Sequence, residues 1–493
     1  MPRETPLRPS PEQDAIVAAR RADPQGSLRV LAFAGTGKTT ALQLLAEADP
    51  APGLYLAYNK GAQLAARARF PAHVACRTIH SLAFRAMGMA GQQHRLERKL
   101  AGRDVAELLA IPAVDGLRPS FWGHGVIAAV RNFTHDGAAR AIGPEHLPPL
   151  PRGADRAGPV LAWARQAWAL MRDPAGALPL EHDAYLKMWQ LEGARLPDQA
   201  EVLYVDEAQD ADPVTLAILQ AQHRPTVWVG DPWQSIYRFR GSVDAMRTID
   251  APQLPLTRSW RFGEELARVA RAILAHTSEP PALALRGAPG LATALGPARP
   301  PCAVLCRTNA GLFEAAVRGR DRVHLVGGVE PLARLVLGGW RLRQGEPAPE
   351  VPSLARFRGW DELVEEAAEA RDPELRFLVQ VVAHYGRALP ALVADLRRRA
   401  VAHPGMAARV LSTAHKAKGL EWPRVRLGAD FPGLDELHAA DRDGVPCLTA
   451  EERDQELHLL YVAATRARQQ LEPDAAVRSC LAGRAAARQT SVA

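Results

Sequence analysis

The chain has 493 residues, 47% hydrophobic and 23% charged, the balance of an ordinary globular protein with core enough for about three to four domains. No apolar stretch approaches the roughly 18 residues of a membrane span, and the opening Met-Pro-Arg-Glu-Thr lacks the apolar centre of a signal peptide; a cytoplasmic protein without a membrane partner is expected. The net charge of +7, from 61 basic against 54 acidic residues, permits a polyanionic partner, and of the five scattered cysteines the nearest pair, Cys302 and Cys306, reads as buried thiols in a strand.

In chain order, the short apolar run 29–33 enters Ala34-Gly35-Thr36-Gly37-Lys38-Thr39-Thr40 and then the helix-forming stretch 41–46. Strand, tight loop and helix in that order make a P-loop: the glycines let backbone amides face a phosphate at the positive end of the helix. Lys38 adds a charge for the outer phosphates and Thr39 a hydroxyl for Mg²⁺. Ala32 stands where the pattern has its first glycine. A second apolar run, 54–58, leads into Asn59 and a helical segment at 62–69, and a third, 74–76, leads into Thr78-Ile79-His80. Strands alternating with helices predict a parallel α/β sheet, whose ligands gather at the carboxyl ends where Lys38, Asn59, Thr78, His80 and Asp206 would sit. Tyr58 and His80 are candidates for stacking on, and phosphate contact with, a single strand of nucleic acid.

The Ala-, Pro- and Gly-rich stretch 137–159 reads as loop. The apolar run 202–205 then ends in Asp206 and Glu207, the acid pair that phosphoryl transfer to water needs: one carboxylate for a metal, the other to orient and deprotonate water. Gln209 and Asp210 follow and could link the hydrolytic carboxylate to the next motif, which another apolar strand precedes. That strand, 226–229, leads to Gly-Asp-Pro-Trp-Gln-Ser-Ile-Tyr-Arg-Phe-Arg-Gly at 230–241, where Gln234 can sense a γ-phosphate and Tyr237, Phe239 and Arg240 can touch bases. Downstream, Trp260 offers an indole for a base and Arg261 a guanidinium for phosphate. The stretch 279–301 reads as loop or linker, and 331–400 as mostly helical.

Taken together these motifs resemble superfamily 1A DNA helicases of the UvrD/Rep class, most closely the F-box DNA helicase branch, although no F-box is evident before the first motif. The ordered series is P-E-Q-D-A-I-V at 11–17, A-G-T-G-K-T-T, L-A-Y-N-K, T-I-H-S-L-A-F-R, H-D-A-Y-L-K-M-W-Q-L at 182–191, V-D-E-A-Q-D, the 230–241 run, S-W-R-F, C-R-T-N at 306–309, S-T-A-H-K-A-K-G-L-E-W at 412–422 and E-L-H-L-L-Y-V-A-A-T-R-A at 456–467. The chain departs from this family at Ala32, at His458, where close relatives carry Asn, and at Trp260, where they carry Tyr or Phe.

The resemblance implies two RecA-like P-loop motor domains with parallel sheets. The first spans 1–85 and 200–255 with a helical insertion at 86–199; the second spans 256–330 and 401–485 with a short helical insertion at 331–400. It implies ATP and Mg²⁺ as cofactors, with Ala34, Gly35, Thr36, Gly37, Lys38, Thr39 and Thr40 cradling phosphate. Gln13 would read the adenine edge, Trp260 stack on the base and Glu421 meet the ribose. Thr39 and Asp206 would hold the metal and Glu207 act as base, with Gln234, Arg261 and Arg466 sensing or neutralising the γ-phosphate. Tyr58, Asn59, Thr78, His80, Tyr237, Phe239, Arg240, Arg307, Thr413 and His415 would line the DNA groove. The expected activity is 3′ to 5′ movement on single-stranded and tailed duplex DNA by a monomer, beside recombination or replication proteins. A strand-bound translocase that strips proteins, a slowly hydrolysing binding module and an RNA track are the alternatives.

Overall fold

The structure, a computed structural model, describes residues 9–98, 100–114, 117–150, 157–236, 245–351, 353–354, 357–369, 373–440 and 447–490. The chain divides into two compact units, one of Met1–Ala32 with Gly37–Leu256, the other of Phe33–Thr36 with Thr257–Ala493. Both are α/β units built on wholly parallel six-stranded sheets.

The first sheet contains β1 (Leu28–Ala32), β2 (Gly53–Leu56), β3 (Val74–Arg77), β4 (Val202–Val205), β5 (Thr226–Gly230) and β6 (Gln253–Leu256), in the order β3-β2-β4-β5-β1-β6. Alternate side chains along a strand serve opposite faces. Tyr55, Tyr204, Val227 and Val229 pack on one face with Ile16, Leu42 and Leu45 from the helices Pro11–Ala22 and Lys38–Ala48. Leu54, Leu56, Leu203, Val205 and Trp228 point the other way, into a core shared with Trp122, Phe133, Trp168, Tyr185 and Trp189 of the inserted helices. The insertion between β3 and β4 therefore has no separate core; it is the second layer of the sheet. The pairings Leu56↔Val205, Val205↔Trp228 and Leu31↔Gly230 bring the strand ends to one edge, from which the P-loop, Asp206 and Asp231 all leave.

The second sheet contains β7 (Ala294–Leu295), β8 (Cys302–Cys306), β9 (Val323–Leu325), β10 (Arg409–Thr413), β11 (Trp422–Leu427) and β12 (Ala467–Glu472), in the order β7-β12-β11-β8-β10-β9. β7 is a two-residue strand within the stretch expected to be loop; pairing with β12 captures it. The 331–400 region forms the helices Glu330–Arg343, Trp360–Glu369, Pro373–Tyr385 and Leu389–Arg399. Their Val336, Leu378, Val382 and Leu396 share one core with Cys302, Val304, Leu325 and Leu411 of the sheet. Within it, the helical run Leu375–Arg399 has the length (25 residues) and hydropathy (1.3) of a membrane span. Its apolar side chains Leu378, Val382, Leu389, Val393 and Leu396 are fully buried in that core, which accounts for the hydropathy.

Candidate nucleotide and nucleic-acid site

At the end of β1, Gly37 takes a left-handed conformation (φ 85°) that a side chain would strain, and it opens the helix Lys38–Ala48 without a side-chain cap. The first amides of that helix are thus left for an anion, whose charge also suits the helix dipole. Two residues of its first turn reach the end of β4. Lys38 Nζ lies 3.1 Å from Glu207 Oε2, and Thr39 Oγ1 donates to Asp206 Oδ2 at 2.6 Å. Tyr55 OH donates to the same Asp206 oxygen at 2.7 Å from the neighbouring strand, and Glu207 N to Asp206 Oδ1 at 3.0 Å.

Glu207 itself has φ 52°, rare for a residue with a side chain, and leads into the turn Ala208–Asp210. That turn aims Gln209 back at the acid. Gln209 Nε2 donates to Glu207 Oε2 at 2.7 Å while its Oε1 accepts from Asp231 N at 2.9 Å, and Asp231 Oδ2 accepts from Gln234 Nε2 at 2.6 Å. One chain of hydrogen bonds therefore joins the ends of β4 and β5, with fully buried Gln209 as its middle link.

The electrostatics follow from burial. Burial and the neighbouring Glu207 charge push the Asp206 carboxyl above its ordinary value, and the Thr39 and Tyr55 hydrogen bonds and Lys38 only partly offset them. Burial opposes the Lys38 ammonium, but Glu207, Asp231 and Asp206 outweigh it and raise its pKa. A crowded carboxylate beside a hydroxyl is a hard-oxygen donor pair of the kind Mg²⁺ takes together with phosphate oxygens. Among the described residues no group of three or more His, Cys, Asp or Glu side chains is placed to hold a metal ion alone. Glu207, one-third exposed, keeps access to a water.

The remaining candidates of the first unit divide by role. Gln13 is buried and completes a capping box with Ser10, whose N donates to Gln13 Oε1 at 2.9 Å. Thr40 Oγ1 accepts from Arg69 Nη2 at 3.2 Å. Asn59 and Thr78 are N-caps of the helices Lys60–Arg67 and Ile79–Ala86, and Tyr58 is 43% exposed beside them. His80 Nε2 lies 3.1 Å from Asp183 Oδ1, a partner 103 residues away that no motif pairs with it. Tyr237, Phe239 and Arg240 lie outside the described residues. Tyr55 and Asp231 are also additions of the structure.

In the second unit, Ala34 N donates to Tyr461 OH at 2.9 Å and Trp260 N to Gly35 O at 2.8 Å; Thr36 Oγ1 donates to Phe33 O at 2.8 Å. The Trp260 indole is 49% exposed. Arg261 Nε donates to Glu421 Oε2 at 2.8 Å and its Nη1 to Thr465 O at 3.2 Å. Arg466 is almost fully buried: Nε donates to Val462 O at 2.9 Å and Nη2 to Thr465 Oγ1 at 3.2 Å. Arg307 forms a two-pronged ion pair with Glu456, and its N donates to Asp430 Oδ1 at 3.0 Å. Thr413 caps the short helix Ala414–Ala417, which carries half-buried His415.

Residues 184–248 match the model of the UvrD/REP helicase N-terminal domain and residues 389–472 that of the UvrD-like helicase C-terminal domain. Over 478 residues, 90% of this chain and 46% of the relative, the sequence is 30% identical to F-box DNA helicase 1 of Gallus gallus. The identity is also 30% over 509 residues, 93% of this chain and 56% of the relative, with F-box DNA helicase protein 1 of Schizosaccharomyces pombe. The chain thus contains UvrD-like helicase N- and C-terminal family domains. A bacterial relative, ATP-dependent DNA helicase UvrD2 of Mycobacterium bovis, is 27% identical over 557 residues, 93% of this chain and 77% of that one. This UvrD/Rep-like chain spans about half the length of the F-box relatives it matches. Asp206, Glu207 and Gln234 fall within its N-terminal family match, and Thr413, His415, Glu421 and Arg466 within its C-terminal one.

Proposed function

We propose that the chain is an ATP-hydrolysing motor that moves 3′ to 5′ along single-stranded DNA and separates tailed duplexes. The observation that carries this reading is the joining of the P-loop to the acid pair: Lys38 against Glu207 and Thr39 against Asp206, at the carboxyl edge of a parallel sheet. In this reading the amides of the loop and Lys38 hold the phosphates, and Thr39 with Asp206 holds Mg²⁺, which supplies charge neutralisation when bound. Glu207 orients and deprotonates the attacking water, Gln234 senses the γ-phosphate, and Arg261 and Arg466 offset charge in the transition state. Gln13 and exposed Trp260 take the base and Glu421 the ribose. Tyr58, Asn59, Thr78, His80, Tyr237, Phe239, Arg240, Arg307, Thr413 and His415 contact the strand, chiefly through its backbone, so binding weakens with salt and shows little base preference.

The domain boundaries proposed for the motor are those set by the motif spacing, with the chain acting as a cytoplasmic monomer beside recombination or replication proteins. One observation favours a second reading, a translocase that strips proteins without processive unwinding: the short 331–400 insertion is packed into the core of the second sheet. Steady-state ATPase titrated with single-stranded DNA, duplex and RNA tests the motor reading; hydrolysis indifferent to all three would end it. Strand separation on tailed duplexes of both polarities, run beside displacement of streptavidin from a biotinylated strand, then distinguishes unwinding from stripping.

A further inference from the structure

The acid loop and the helix that carries His80 face each other across a cleft. Tyr58, Ile79 and His80 line one side, Asp206, Glu207 and Asp212 the other, and the space is about 80 Å³. A gap transmits no packing force, so coupling between the acid loop and His80 runs through the packed residues around it.

A packed route goes around the cleft through the first insertion. The turn at 136–139 rests on Pro213, the first residue of the helix Pro213–Gln220 that follows the acid loop: a Cβ built on Gly137 would stand 2.3 Å from Pro213 O. Asp212, between loop and helix, caps that helix through Thr215 N at 2.8 Å. From its other side the turn is held by the helix His182–Leu191. Lys187 Nζ donates to Asp136 O at 2.5 Å, Ala139 O at 2.6 Å and Gln190 Oε1 at 2.7 Å, and Gln190 Nε2 donates to Gly137 O at 2.5 Å. One turn nearer the start of the same helix, Asp183 meets His80 at 3.1 Å and His135 at 3.2 Å. A single helix thus grips the turn beneath the acid loop with its second half and the His80 helix with its first.

The choice of lysine is informative. Lys187 is fully buried with its ammonium 4.8 Å from the centre of the Phe133 ring. A buried ammonium is costly unless oxygens replace its water, and an apolar side chain would fill the same space without that cost. Three acceptors matched to three N–H groups fix where the turn sits, which filling alone would not do.

We propose that Lys187 is a positioning residue that makes the helix His182–Leu191 the strut between the two ligand sites of the first unit, so that a nucleic-acid strand at Thr78 and His80 accelerates hydrolysis at Glu207. The inference rests on the motor reading above. It is tested on the full chain with Lys187→Met, which keeps the shape and removes all three donors, and with Gln190→Leu, which removes the bond to Gly137 and one of the three Lys187 acceptors but leaves the two Lys187 bonds to the turn, and guards against a folding defect in the first variant. Basal ATPase, the KM for ATP, ATPase saturated with oligo-dT, and Tm are measured for each. The basal rate and KM stay within about twofold, while the ratio of stimulated to basal rate falls about tenfold in Lys187→Met and less, in the same direction, in Gln190→Leu. An unchanged ratio in both variants overturns the proposal. So does a loss of basal and stimulated rates together with Tm in Lys187→Met when Gln190→Leu keeps its ratio. A wild-type ATPase that no nucleic acid stimulates refutes the motor reading itself, a result independent of either variant.

Discussion

Replacing Gln209 with leucine separates the stability of the strand-end network from its chemistry. The amide of Gln209 donates to Glu207 at 2.7 Å and accepts from Asp231 N at 2.9 Å, and both Gln209 and Asp231 are fully buried. Leucine keeps the volume but leaves the Asp231 N–H without that acceptor in a dry site, a cost of about 1–3 kcal/mol. Glu207 loses a donor but keeps Lys38 at 3.1 Å and one-third exposure, so little further destabilisation arises there. The expected fall in unfolding free energy is therefore about 2 kcal/mol, read from urea denaturation. Catalysis should suffer more. Without Gln209 the Glu207 carboxylate can swing away from the water it holds in the proposed reaction, and misplacement on the scale of an ångström lowers kcat by up to about a hundredfold. The KM for ATP stays near wild type, because Lys38 and Thr39 are untouched. Gln209→Glu makes the contrast: it can still accept from Asp231 but sets an anion against Glu207 and Asp210, so kcat falls while the Asp231 bond survives. A Gln209→Leu enzyme with wild-type kcat and the expected loss of stability would refute the linking role of Gln209.

Three further outcomes follow from the same geometry. Glu207→Gln retains ATP binding, measured with a fluorescent analogue, and loses steady-state turnover by at least about a hundredfold; unchanged turnover removes Glu207 as the base. Gly137→Ala drives a methyl group into Pro213 O and lowers the stability of the first unit by about 1–3 kcal/mol, whereas Gly158→Ala, with open space around its Cβ, is neutral or slightly stabilising; equal melting curves for the two contradict the close approach. The Asp183 clasp has a defined pH window. The hydrogen bond His135 donates to Asp183 raises the His135 pKa against opposing burial, with help from the Arg131 carbonyl and Asp212; burial would raise Asp183, but His135 and His80 hold it well below the usual carboxylate range. The His135 contribution is complete below about pH 6.5 and is lost as pH rises through the raised value, while that of Asp183 is present above about pH 4 and lost only in strong acid. The Tm difference between wild type and Asp183→Asn is therefore widest between those limits and narrows on the alkaline side; a constant difference from pH 5 to 9 refutes the pairing.

What could be read in the sequence was chemistry confined to short segments. Gly37, Lys38 and Thr39 form one loop, Asp206 and Glu207 one strand end, and the hydrophobic runs that became β2, β4, β5 and β8 are buried on both faces and need only local composition to be seen. Gln209 was legible as a link on its Glu207 side, two residues away, while its other end, Asp231 N, lies 22 residues on. Partners far apart in the chain were not legible. Tyr55 reaches Asp206 across 151 residues and His80 reaches Asp183 across 103, and no periodicity marks either pair. Lys187 stood in a recognisable motif, yet a lysine on an amphipathic helix reads as a solvated charge until the turn it clamps is known. Arg307 shows the same limit: its residue type suits a DNA contact, and its ion pair with Glu456, 149 residues on, was not legible.

The shared cores have a calorimetric consequence. Four segments can be drawn along the chain from motif spacing, but neither insertion can melt while its sheet survives, because the same buried side chains hold both. Heating should therefore give at most two cooperative transitions, each removing an insertion together with the strands beneath it. A shortened version lacking 331–400 would lay bare the apolar surface around Leu325 and Leu411 and tend to aggregate. Changes in the length of either insertion are accordingly restricted to the loops between its helices, and the helices that cover the sheets are as indispensable to each unit as its strands.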